Sequence, residues 1–61
     1  MMTKKEEYLW QLMYYNLVAA KAHLDCFELS GNRYDVDMSG TYYARALHSR
    51  DTALTLYVMG E

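Results

Sequence analysis

Apolar side chains recur along the first half of the chain at alternating steps of three and four residues. The series is Trp10, Met13, Leu17, Ala20, Leu24 and Phe27. Such steps return to one side of an α-helix and match the a/d spacing of helices that pack against other helices. The pattern therefore predicts one long helix with an apolar stripe along most of its length.

Residues suited to capping mark both ends of this helix. Thr3 and Glu6 have the spacing of a capping box, in which the Thr3 hydroxyl accepts a hydrogen bond from the Glu6 amide. At the other end, Gly31 is suited to the positive φ that closes a helix. We expect the first helix to span residues 4–29.

A polar segment follows and predicts a loop over residues 30–39. Its last part, with residues 35–40, has the sequence DVDMSG, which resembles the first half of a calcium-binding EF-hand loop. Such a loop needs a bidentate glutamate at its twelfth position, and that position here is Ala46. We therefore interpret the segment as a turn and helix cap built from aspartate and serine.

The rest of the chain predicts a second helix over residues 40–59, with Gly60 as its stop. Residues 54–58, LTLYV, also alternate in the manner of a β-strand and leave that alternative open. Helix is preferred because no second strand is predicted with which it could pair. Arg50 interrupts the apolar stripe of this helix, and it either extends to solvent or forms a polar layer that fixes register or partner choice.

Two antiparallel helices joined by one loop make an all-α hairpin, a single domain over residues 1–61. With a ten-residue loop the second helix would stop short of Tyr8 and Trp10, which would then overhang. A second copy of the chain would cover them and produce a four-helix bundle, and a different protein is the alternative. We expect Trp10, Met13 and Leu17 to form the interface of a homodimer.

The composition is typical of a protein that forms interfaces with other proteins, and it limits the classes of partner that we expect. Hydrophobic residues make up 52% of the sequence, with seven tyrosines, five methionines and one tryptophan, a set enriched at the cores of interfaces. The single cysteine, Cys26, suits a reducing compartment, so we expect a cytoplasmic location. A net charge of −2 argues against nucleic acid as a partner, and no apolar run is long enough to predict a membrane span.

Few residues have the spacing that a metal site or a catalytic site requires. His23 and Cys26 are three residues apart on the first helix, and His48 and Asp51 are three apart on the second. A metal- or ligand-responsive module using these four residues is therefore the alternative function, although the apolar stripe places His23 beside the core and we expect no bound metal or cofactor. No serine or cysteine has a base at a suggestive spacing, so we expect no enzymatic activity.

The leading hypothesis is a small non-enzymatic protein that binds a larger protein, as an inhibitor, adaptor or assembly factor. Tyrosine and arginine are enriched among residues that dominate binding energy. If the apolar stripes turn inward, tyrosines of the first helix turn outward, and a tyrosine and an arginine remain on the flank of the second. We predict that the partner is contacted by Tyr8, Tyr15, Tyr42 and Arg45.

Overall fold

A computed structural model describes residues 2–59 as two α-helices packed side by side in an antiparallel hairpin. Helix α1 spans Lys4–Ser30 and helix α2 spans Arg33–Val58. The hairpin is about 45 Å long, which is close to the length of either helix, and the described residues form no strand. The all-α hairpin expected from the sequence is confirmed.

The predicted caps of α1 are present. The Thr3 hydroxyl accepts a hydrogen bond from the Glu6 amide at 3.1 Å, which satisfies one of the free donors of the first turn. Gly31 has φ 70°, and its amide donates to the Phe27 carbonyl at 2.7 Å. Among non-glycine residues that conformation is costly, so the glycine ends the helix here, one residue later than expected.

The predicted loop over residues 30–39 is wrong, because Gly31 and Asn32 alone connect the two helices. The Asn32 side chain accepts a hydrogen bond from the Tyr34 amide at 2.9 Å and caps α2 directly after the turn. The EF-hand-like segment, interpreted as a turn, is helical throughout. Asp37 is exposed, whereas Asp35 and Ser39 contact α1, so polar residues at a helix contact resemble a loop when read from polarity alone.

Helix α2 continues through Val58, so residues 54–58 are helical rather than a strand. The predicted stop at Gly60 lies outside the described residues. Because the connection has two residues instead of ten, α2 runs along nearly all of α1. Trp10 lines a groove together with Leu54 and Tyr57 of α2, so the predicted overhang of Tyr8 and Trp10 is wrong.

The two helices meet through small and polar side chains. The buried residues within 2–59 are Glu6, Asn16 and Ala20 of α1 and Ser39, Ala46, Ser49 and Ala53 of α2. Most of these positions are offset by one residue from the apolar stripes predicted to face inward. Small side chains at the contact let the helix axes approach closely, which leaves the larger apolar residues on the flanks. No large side chain in this part of the chain is fully buried.

Candidate functional site

Polar contacts join the two helices near the turn. The Ser39 hydroxyl, on α2, donates to the Ala20 carbonyl of α1 at 2.9 Å in a buried position. Nδ1 of His23 lies 3.0 Å from a carboxylate oxygen of Asp35, and the Ser30 hydroxyl lies 3.5 Å from the other oxygen. These contacts fix the register of α2 against α1 at the turn end of the hairpin.

Four side chains extend this contact into a continuous row that we call the His23 stack: Asp35, His23, Tyr42 and Arg45. The His23 and Tyr42 rings are stacked, with centroids 5.5 Å apart and planes 13° apart. The Arg45 guanidinium carbon lies 5.4 Å from the Tyr42 ring centroid, a cation–π distance. Arg45 is therefore held in place by an aromatic ring that is itself held against the opposite helix.

Tyr42, expected on the flank of the second helix, lies there as part of the His23 stack. The residue is only half-exposed, and its ring stands between His23 and Arg45. The reason is the one-residue offset between the predicted stripe and the observed contact. His23, expected beside the core, is also half-buried at the helix contact. Tyr42 thus positions Arg45 rather than presenting a free ring.

The His23 stack offers little for catalysis. The hydrogen bond of the His23 side chain is with Asp35, so the imidazole is oriented but activates neither a hydroxyl nor a thiol in the described residues. Cys26 is exposed, and Asp51 pairs with Arg50 at 3.0 Å. Residues 2–59 contain no group of three potential ligands that could hold a metal ion. The four residues of the metal hypothesis are therefore not gathered into one site.

One flank of the hairpin, which we call the tyrosine face, carries three of the predicted partner contacts. Tyr8 and Tyr15 are one heptad apart on α1 and are 60% and 69% exposed. Beside them, a groove of about 630 Å³ is lined by Leu12 of α1 and by Arg45 and His48 of α2, among others. The tyrosine face is defined by these five residues: Tyr8, Leu12, Tyr15, Arg45 and His48.

The opposite flank, which we call the apolar face, carries eight large aliphatic and aromatic residues. Its members are Trp10, Leu17 and Leu24 of α1 and Val36, Tyr43, Leu47, Leu54 and Tyr57 of α2. Grooves of about 360 and 460 Å³ lie along it, at the open end and toward the turn. Of the residues predicted at a dimer interface, Trp10 and Leu17 lie on this face. Met13 is half-buried and belongs to neither the tyrosine face nor the apolar face.

The His23 stack is a feature that the sequence analysis missed. His23 and Asp35 are twelve residues apart, and the ten-residue loop predicted between the helices kept Asp35 away from α1. The available signal was Asn32, a good N-cap residue directly after a glycine suited to end a helix. A two-residue turn at that point would have placed His23, Asp35 and Tyr42 near one another.

Comparison with known proteins adds no assignment to this geometry. No protein family, curated protein or solved structure matches the chain. Neither α1 nor α2, as far as they are described, is long and apolar enough to cross a membrane.

Proposed function

We propose that this chain is a non-enzymatic helical protein that binds a larger protein through its tyrosine face, as a cytoplasmic inhibitor, adaptor or assembly factor. The observation that carries the proposal is the presentation of Tyr8, Tyr15 and Arg45 on one flank. The two rings are exposed on a continuous helix, and Arg45 is placed beside them by the His23 stack. These residue types are enriched among binding hot spots.

Preorganisation supports this role. A tyrosine ring has only two side-chain torsions, so it supplies contact area at a low entropy cost on binding. The Arg45 guanidinium already rests near the Tyr42 ring, and less of its side-chain freedom remains to be lost. Because Tyr8 and Tyr15 project from a helix rather than a loop, their separation is fixed before a partner arrives.

Charge indicates the chemistry of the partner. The chain has eight acidic and six basic residues. Two carboxylates of α2 already have partners other than Arg45: Asp35 contacts His23, and Asp51 pairs with Arg50. Arg45 is thus left as an exposed cation among apolar rings. A partner surface that combines an acidic side chain with apolar contacts would complement this face.

The test is a comparison of captured proteins. The purified chain serves as bait in an extract of its host, in the parental form and as a Tyr15→Ala, Arg45→Ala double variant. A matched control, Lys4→Ala with Val18→Ala, removes one exposed cation and one exposed apolar side chain from the outer side of α1. We expect the parent and the control to capture the same protein. We expect the double variant to bind it at least about tenfold more weakly, or about 1.4 kcal/mol.

Circular dichroism of the three forms checks that each remains helical. Affinity is then measured by titration calorimetry with the captured protein in purified form. If all three forms bind it equally well, the tyrosine face is not the recognition surface. If no protein depends on the bait at all, the proposal of a protein partner fails as a whole.

A further inference from the structure

The apolar face is long, continuous and uncovered in the hairpin. Leu17, near its middle, is 38% exposed, Tyr43 is 52% exposed, and Tyr57, near the open end, is 73% exposed. The buried apolar residues in the described part of the chain are three alanines. The hairpin thus buries its small residues and presents its large ones, which is the reverse of the arrangement that stabilises a monomer.

The exposed area is of the size that a dimer interface requires. The accessible surface of the hairpin is 4786 Å². A compact monomer of 7.2 kDa is expected to expose about 4,100 Å². The excess of roughly 700 Å² reflects the elongated shape of the hairpin, and a standard interface buries roughly 800 Å² of each partner. One face of a hairpin 45 Å long, with two helices each about 10 Å wide, provides that area.

Along α2, the residues of this face are arranged symmetrically about residue 45. The helix can therefore pack in the antiparallel direction against the same helix of a second copy. Val36 and Leu54 lie equally far from residue 45, and so do Tyr43 and Leu47. Gly40, which lines the groove toward the turn, and Arg50 are also symmetric about residue 45, so the symmetry brings a residue without a side chain opposite a long one. A Cβ atom placed on Gly40 would meet nothing within 4 Å. This position is open space into which a long side chain from outside can fit.

The residues of α1 on this face are also symmetric, about a residue that lies level with the centre of α2. Trp10 and Leu24 lie equally far from Leu17. Leu17 precedes Gly31 by 14 residues and residue 45 follows Asn32 by 13. At about 1.5 Å of rise per residue, the two centres are therefore level to within about 2 Å along the hairpin. A single two-fold axis across both helices satisfies both patterns at once.

We propose that a second copy of this chain covers the apolar face, related by a two-fold axis that crosses α1 at Leu17 and α2 at residue 45. The product is an antiparallel four-helix bundle with an isologous interface. Trp10 of each copy packs against Leu24 of the other, and Arg50 extends over Gly40. The Arg50 charge is compensated within its own chain by Asp51, 3.0 Å away, so covering it does not leave an unpaired cation. This inference does not depend on the tyrosine face.

Sedimentation equilibrium across the micromolar range tests the assembly. The parent is expected at twice the chain mass of 7.2 kDa. A variant with both Leu17→Lys and Leu47→Lys, close to the axis, is expected to raise the dissociation constant at least about a hundredfold by burying four ammonium groups per dimer. Leu29→Lys is the matched control, since Leu29 is exposed near the turn, and it should leave the dimer intact. A parent that sediments as a single chain throughout the range overturns the proposal.

Site-specific crosslinking tests the axis without relying on a variant that might unfold. In a Cys26→Ser background, Leu17→Cys places one thiol at the axis, and a short thiol-specific crosslinker should join two chains in high yield. Ala22→Cys, an exposed position on the opposite flank of α1, should give little product. Sedimentation of both variants first establishes that they are dimers. Efficient crosslinking at position 22 together with none at position 17 would overturn the proposed face.

Discussion

The two glycines at positions 31 and 40 should respond in opposite directions to the same change, Gly→Ala. Gly31 occupies the left-handed region at φ 70°, where an added Cβ is strained even though it meets no atom within 4 Å. A non-glycine residue there costs about 1–2 kcal/mol, and the loss of unfolded-state entropy offsets about 0.4–1 kcal/mol of this. Gly31→Ala should therefore lower the free energy of unfolding by about 1 kcal/mol, the difference of these terms.

Gly40 lies inside α2 with an ordinary helical backbone and open space around it. Alanine at an interior helical position is favoured over glycine by about 1 kcal/mol, so Gly40→Ala should stabilise the fold by about that amount. In a domain of this size about 1 kcal/mol shifts the melting temperature by roughly 4–8 °C. The two variants should therefore melt about 8–16 °C apart, one below and one above the parent.

Thermal unfolding followed by circular dichroism at 222 nm measures both shifts. All forms are compared at one protein concentration, because association makes the melting temperature depend on concentration. Gly31→Asn serves as a control for the backbone argument, since asparagine tolerates the left-handed region and should fall between alanine and the parent. Gly31→Ala melting at or above the parent would refute the two-residue turn. Gly40→Ala melting below the parent would contradict the expected stabilisation and show that another side chain, such as Arg50 of a second copy, needs the space at residue 40.

Three further changes test the helix contact and the apolar face. Ser39→Ala removes the buried hydrogen bond to the Ala20 carbonyl and should cost about 1 kcal/mol in urea denaturation, and an unchanged midpoint would contradict that contact. Trp10→Ala should weaken self-association, measured by sedimentation equilibrium, by about 3 kcal/mol. This is the lower end of the range for a core tryptophan, because Trp10 is only half-buried in the hairpin. Arg50→Leu should melt no lower than the parent, because an exposed pair with Asp51 contributes little, and a large drop in melting temperature would show that this pair anchors the fold.

The helices themselves could be predicted from local signals. The Thr3 cap acts within one turn, and Gly31 ends α1 through its own backbone preference, so neither needs the rest of the molecule. The loop could not be predicted from polarity, because an exposed helical turn and a loop both carry polar residues. Asn32 was the decisive residue, since its side chain caps α2 only where the chain already turns directly after Gly31.

Part of the candidate site could likewise be predicted from local spacing, and part of it depends on how the two helices meet. Tyr8, Tyr15 and Arg45 lie on the exposed flank expected from helical spacing, because a periodicity fixes which residues share a side of one helix. The contact of His23 with Asp35 and its stacking on Tyr42 could not be predicted in this way, because they depend on the register between the helices. That register follows from a two-residue turn, and a turn eight residues longer would separate His23 from both Asp35 and Tyr42.

The sequence by itself determined two long helices, their caps and an apolar stripe on each, because these depend on residues within a few turns of one another. Only the tertiary structure decided where the stripes point. Two helices can meet on their large apolar residues or on the small ones beside them, and the two positions differ by a rotation of about 100° per residue. Here Ala20, Ala46 and Ala53 let the backbones come close, and they take the contact. Larger side chains are displaced to the flanks, and those on one flank form the apolar face.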